Sequence, residues 1–237
     1  MSRLVADLPW TEIRSRLDTG AVAVLPIGAA AKEHGPHLPM QTDYLQAGRL
    51  AAELAEREDV LVWPTVGYGY YPAFVRFAGS TSLSRETFRD VIAALLKALE
   101  DAGASRILVL NTGLSTIGPI REALAGKRRA KVGLANVYRG PLYERRLAEV
   151  CSQTEGSHAD EAETSIMLHF FPAKVRLEEA VRWTRKPPHV PWEPDDAGDP
   201  SYCPDGVYGD PTLATREKGA ALVAAMLDDL RRSLREL

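Results

Sequence analysis

Four short apolar runs restrict what this chain can fold into more than anything else in it. Residues 21–26 (Ala-Val-Ala-Val-Leu-Pro), 60–63 (Val-Leu-Val-Trp), 106–111 (Arg-Ile-Leu-Val-Leu-Asn) and 132–137 (Val-Gly-Leu-Ala-Asn-Val) are too short for buried helices. They are rich in β-branched residues and lack polar alternation, the pattern of strands covered on both faces. Amphipathic segments separate them. Residues 43–58 carry Leu45, Leu50, Ala51 and Leu54 on one face. A longer helix, capped by Ser84 or Ser82 and stopped by Gly103, buries Phe88, Ile92, Leu95, Leu96 and Leu99. A further helix runs from Pro119 to about Ala125. Residues 10–17 and 215–235 add helices at the two ends, the latter with Ala220, Leu222, Val223, Met226 and Leu230 inward. Repeated β-α-β units of this length predict an α/β fold with a mostly parallel sheet. Function in such sheets gathers at the carboxyl ends of the strands. The loops after residues 26 and 111 are therefore expected on one rim.

Composition narrows the function classes. The chain has 237 residues, 45% of them apolar, enough for one sizeable core. A net charge of −3, with no basic run longer than Lys127-Arg128-Arg129, argues against nucleic-acid binding. Two cysteines without metal or redox spacing suit a reduced compartment. Early polar residues (Asp7, Thr11, Glu12) leave no signal-peptide core and no membrane span, so a soluble cytoplasmic protein is expected. No repeat or internal boundary is evident, and residues 1–237 read as a single domain. Residues 184–212 hold seven prolines and read as a long loop, a lid or subunit contact anchored by Trp183, Trp192 and Tyr202.

The chemistry concentrates in Glu33-His34-Gly35-Pro36-His37-Leu38-Pro39 and Thr42-Asp43. Two of the five histidines and two carboxylates fall within eleven residues of a loop stiffened by Gly and Pro. Imidazole and carboxylate donors held before an ion arrives suit zinc, manganese or iron. A single histidine here would read as a backbone cap in a tight turn; the cluster favours a divalent metal. A second stretch, residues 156–168, opens a helix at the Ser157-x-x-Asp160 signature. On that helix Glu163 shares a face with Ala159, Ala162, Ile166, Met167 and Phe170. A carboxylate there needs a partner, either a metal ion or a Lys or Arg. His158 lies at the helix start, where it can face an anion or a developing oxyanion. Asp160 and Glu161 read as solvated first-turn acids. Tyr68, Tyr70, Tyr71 and Phe74 offer walls for a flat substrate, with Arg76 beside them, or simply a self-packed surface loop.

The run Pro26-Ile27-Gly28, Glu33-His34-Gly35-Pro36-His37-Leu38-Pro39, Thr42-Asp43 resembles the hallmark of the creatininase (creatinine amidohydrolase) family. Further matches follow in the family's order: residues 79–84, Asn111, residues 158–165 and 206–211, then Ala214-Thr215 and Glu217-Lys218-Gly219. The resemblance covers roughly residues 8–235. It implies a three-layer α/β/α sandwich, a homo-oligomer (often a hexamer) and a metal pair at the sheet rim. It also implies hydrolysis of a small-molecule C–N bond, in a cyclic amide, a formamide or a small peptide-like substrate, by metal-activated water. Carried over, Glu33, His34, Asp43 and Glu163 are the expected metal ligands and His158 the catalytic histidine near the scissile bond.

Two departures stand out. The family reads Glu-x-His where this chain has Lys32-Glu33-His34, so Glu33 can ligate only if the loop swings it inward. Where the family has Asn-x-His-Gly-Gly-Asn, this chain has residues 111–116, Asn-Thr-Gly-Leu-Ser-Thr, with Gly113 at the position of a metal-binding histidine. One tight ion is expected, with too few donors for an equal second. Asn111, Thr112 and Ser115 are then expected to contact substrate from the vacated side. Rival readings are a serine hydrolase using Ser115 in half a nucleophile elbow, a catalytically altered protein binding a small metabolite, and a metal that only staples a loop.

Overall fold

The computed structural model describes residues 3–153, 156–183 and 203–237. Its sheet has four parallel strands among the described residues: β1 (Val22–Ile27), β2 (Val60–Val62), β3 (Arg106–Asn111) and β4 (Lys131–Asn136). Their order is β2-β1-β3-β4, with Val24 beside Val62 and Leu108, and Asn111 beside Ile27 and Asn136. All six residues of β1 are buried, as expected of an apolar run covered on both faces.

Alternation along the strands divides the core in two. Val22, Val24, Leu108 and Leu110 point to one layer with helices α2 (Thr42–Arg57), α5 (Pro141–Val150), α6 (Glu161–Phe170) and α7 (Arg216–Arg235). Ala23, Leu25, Ile107 and Val109 point to the other, with α1 (Trp10–Asp18), α3 (Arg85–Asp101) and α4 (Ile117–Leu124). The result is the α/β/α sandwich. Of the two cap candidates for α3, Ser84 takes the role: its side chain accepts the Thr87 N–H. Ser82 instead accepts the Tyr71 N–H.

Chain order and strand order diverge between β1 and β3. After β1 the chain steps outward to β2, then returns past β1 to β3. The crevice at the carboxyl ends of β1 and β3 is the switch point where such sheets place ligands. The loop of residues 28–41 leaves β1 there, and the 111–116 turn leaves β3. Gly28 lets the two sides close: a Cβ on it would stand 2.6 Å from the carbonyl carbon of Asp43, so α2 starts directly against the end of β1. No helix among the described residues is long and apolar enough to cross a membrane. Most of the proline-rich stretch expected at 184–212, with Trp192 and Tyr202, lies outside the described residues. Trp183 donates its backbone N–H to Gly209 and packs against Tyr208.

Candidate metal centre

The loop after β1 is fixed from several directions. Gly35 adopts φ +69°, reversing the chain between His34 and His37. His37 hydrogen-bonds through Nε2 to Thr164 Oγ1 at 2.8 Å, tying the loop to α6, and its carbonyl accepts the Arg176 N–H. Burial, with His34 and His158 nearby, pushes the His37 pKa down to about 4.

His34 is fully buried, and its Nδ1 lies 2.8 Å from the Lys32 carbonyl. A carbonyl only accepts, so Nδ1 carries a proton, and Nε2 is the nitrogen that in the neutral ring is left to take an ion. That atom makes no hydrogen bond. It stands 3.3 Å from Asp43 Oδ1 and 3.7 Å from Glu163 Oε1. His158 repeats the arrangement with its nitrogens exchanged. Its Nε2 donates to the Glu33 carbonyl at 2.9 Å, which leaves Nδ1 bare and 3.7 Å from Glu163 Oε2. Burial, with the Lys32 charge adding to it, lowers the His158 pKa to about 3 and keeps the ring neutral.

Glu163 sits between the two imidazoles, on the buried face that its helix spacing predicts. Its Oε2 also accepts the Ala159 N–H at 2.7 Å. Ala159 holds φ 49°, unusual for a residue with a side chain, at the bend that carries the chain from His158 into α6. Burial raises the Glu163 pKa to about 7, against the pull of His34. Asp43, first-turn acid of α2, is pulled the other way: burial opposes its charge, but Lys32 and His34 hold it well below the usual carboxylate range. Lys32 is itself buried, its Nζ 2.7 Å from Asp43 Oδ2.

Donor atoms of His34, His158 and Glu163 all lie within 4.8 Å of one another. Two imidazoles beside a carboxylate, each ring oriented by a backbone carbonyl so that its other nitrogen faces Glu163, make a donor set that fits a divalent ion. Asp43 Oδ1 faces the same point and has no hydrogen-bond partner.

The remaining expected site residues divide between the cavity and the surrounding loops. Glu33 is absent from that trio. Its carboxyl accepts the Gly35 N–H and lies 3.2 Å from His158 Nε2. Burial raises its pKa to about 7, offset in part by the Gly35 N–H. Gly206, at φ +71°, gives the Glu33 carboxyl room that any Cβ there would take. Asn111 turns inward, donating to the Gly113 carbonyl at 2.6 Å and to Asn136 Oδ1 at 3.0 Å. Thr112 and Ser115 do line the cavity, although Ser115 Oγ donates to the Tyr70 carbonyl at 2.6 Å.

Asp160 and Glu161, read as solvated, are both buried. Asp160, not Ser157, is the N-cap of α6, accepting the N–H groups of Ala162 and Glu163. Glu161 accepts the N–H groups of Ser152 and Gln153 and pairs with Lys218. A preceding loop wrapped back over the helix start, which the local pattern does not encode, is what covers them. Of the aromatic loop, Phe74 reaches the site, its ring 4.4 Å from that of His158, while Tyr68 is exposed.

These residues line one end of a cavity of about 430 Å³ that continues past Tyr138 to Tyr143 and Leu147. With that geometry in place, the likenesses to other proteins are informative. The family model for creatinine amidohydrolase matches residues 6–234. A mycofactocin precursor peptide peptidase of Mycobacterium tuberculosis is 31% identical over 225 residues, covering 89% of this chain and 83% of that protein. The creatinine amidohydrolase of Pseudomonas putida is 28% identical over 256 residues, covering 99% and 97%. A solved creatininase in its manganese form superposes with a TM-score of 0.86 at 26% identity, covering 100% of this chain and 98% of that one. From its β1 loop to its C-terminal helix, this chain belongs to the creatininase family.

Proposed function

We propose that this protein is a metal-dependent amidohydrolase that cleaves the C–N bond of a cyclic amide, a formamide or a small peptide-like substrate. The observation that carries this reading is the convergence of two imidazole nitrogens and two carboxylates in one buried place beside the cavity. The amidohydrolase and peptidase activities named for the relatives support the reaction class, and the manganese-form creatininase supports a divalent ion.

His34 Nε2, Asp43 Oδ1 and Glu163 Oε1 would hold the ion. When bound, a divalent cation supplies Lewis acidity and makes water a nucleophile near neutral pH. His158 takes up a proton from the attacking water at Nδ1 and returns it to the leaving nitrogen. Glu33, accepting from His158 Nε2, holds that ring in the tautomer the transfer needs. Phe74 covers the ring and keeps bulk water from it. Thr112 and Ser115 border the space for substrate. The hexamer rests on the family resemblance alone, and the cytoplasmic placement on two cysteines without metal or redox spacing.

His158 Nδ1 also lies within the metal-compatible trio, which favours a second role as ligand. Metal content separates the two: His158→Ala keeps its ion if His158 carries protons and loses it if His158 ligates. The reaction itself is tested with purified protein against lactams, formamides and short peptides, before and after chelation. Hydrolysis abolished by chelator and restored by Mn²⁺ or Zn²⁺ is expected. Failure to turn over any member of the panel, with saturable binding of a small metabolite instead, would favour the non-catalytic alternative, for which Gly113 at the position of a metal-binding histidine is the main support.

A further inference from the structure

Asp43 has two carboxylate oxygens, and they face different charges. Oδ1 looks toward His34 Nε2 and the position shared with Glu163; Oδ2 is held by the Lys32 ammonium at 2.7 Å. A carboxylate that serves two metal ions gives one oxygen to each. Here the second oxygen is already taken by a cation that belongs to the chain.

The surroundings of Lys32 fix it in that place. Its side chain comes off the loop two residues before His34 and is almost wholly buried. The rings of Phe74 and Tyr71 flank the ammonium, with centroids 5.0 and 5.7 Å from Nζ. The ammonium borders the cavity together with Asp43, Thr112 and Phe74. A mobile surface lysine would gain little from Asp43; with one enclosed this way, losing either partner leaves the other an uncompensated buried charge.

The turn of residues 111–116 adds no charged donor for a second ion. Gly113 has no side chain, and a Cβ there would stand 2.6 Å from Thr116 Oγ1. Thr116 is itself committed, donating to Asn111 Oδ1 at 2.8 Å and packed out of solvent. Thr112 Oγ1 is spent on the Ile27 carbonyl at 3.1 Å. Among the described residues, the imidazole and carboxylate donors close enough to share an ion are His34, His158 and Glu163, the set already placed at the first position.

We infer that the Lys32 ammonium stands in for a second metal cation at Asp43, so that the centre takes one divalent ion and the chain supplies the other positive charge. The inference rests on the metal-dependent reading above and specifies its charge balance. It also gives Lys32 a direct role, because its remaining N–H donors border the cavity where a substrate oxygen would lie.

The test is a count of ions. Wild-type protein, stripped and titrated with Mn²⁺, is expected to bind one equivalent, with the electron paramagnetic resonance signal of an isolated ion. Lys32→Glu replaces the cation with a carboxylate and is expected to admit a second ion and show an exchange-coupled pair. Lys32→Met removes the charge at similar volume and is expected to expose a second, at least tenfold weaker site. Two equivalents with a coupled signal in wild type would overturn the inference and leave the hydrolase reading intact. So would a single equivalent in both folded variants. No bound ion in wild type would overturn the hydrolase reading and this inference with it. Should one variant fail to fold by circular dichroism, the count and signal of the other decide.

Discussion

Gly28 and Asp43 are in backbone contact: the carbonyl of Asp43 occupies the space that a side chain on Gly28 would need. The end of β1 and the start of α2 are thereby locked together, and the carboxylate that faces both His34 and Lys32 is placed by a residue with no side chain. Backbone cannot swing aside, so Gly28→Ala must push α2 away. It is expected to lower stability by about 1–3 kcal/mol, the usual cost of overpacking, and to weaken Mn²⁺ binding at least tenfold. Calorimetry and metal titration check this, with Gly126→Ala, where a Cβ meets nothing within 4 Å, as the control.

Glu33 touches the reaction only through His158. Glu33→Ala is expected to keep the metal content of wild type and to lower kcat by less than about 10²-fold, the low end of general acid–base contributions, because the Glu33 backbone carbonyl still accepts from Nε2. Glu33→Gln still accepts from Nε2 and should recover part of that loss. Metal analysis beside steady-state kinetics separates this from the ligand role, in which Glu33→Ala would lose the ion.

Helices α6 and α7 meet at Gly219, where a Cβ would stand 2.5 Å from the carbonyl carbon of Ser165 and 2.9 Å from His169 Cβ. Gly219→Ala forces them apart. A loss of about 1–3 kcal/mol is expected; at about 2–4 °C per kcal/mol for a chain of this size, the melting temperature should fall by several degrees. An unchanged Tm would mean that the two helices can separate freely.

His37 makes stability depend on pH. Its folded pKa, about 4, lies below its ordinary value of 6.5, so between those values the unfolded chain binds the proton and the folded chain refuses it. Stability from this group is complete above pH 6.5 and is lost as pH falls toward 4, up to about 3 kcal/mol, with no further loss below. His37→Gln lacks the term. Urea unfolding in chelator should therefore show the wild-type advantage over His37→Gln shrinking between pH 7.5 and 5.0. A constant difference would contradict a buried neutral imidazole.

Much of this was legible in local pattern. The apolar runs located β1 to β4 to within a residue or so, because a strand covered on both faces leaves no polar alternation to misread. Helical spacing put Glu163 on a buried face. Helix α5 was not anticipated; Pro141 at its first turn and the support of Asp229, which accepts the Leu142 and Tyr143 N–H groups from α7, hold it in place. The second of these is a contact between residues 86 and 87 positions apart and has no local signature.

By itself, the sequence determined the layered α/β architecture, the rim on which the polar loops meet, and the presence of imidazole and carboxylate donors in one stiff loop. Those depend on hydrophobic period and on glycine and proline, which act within a few residues. The tertiary structure alone decided where each donor points. Glu33 turned to His158, Asn111 turned into its own loop, Asp160 and Glu161 were covered, and Lys32 was driven onto Asp43. Each of these is a charged or polar group taken out of water. Its orientation is set by whichever distant partner satisfies it, and sequence spacing does not encode that partner.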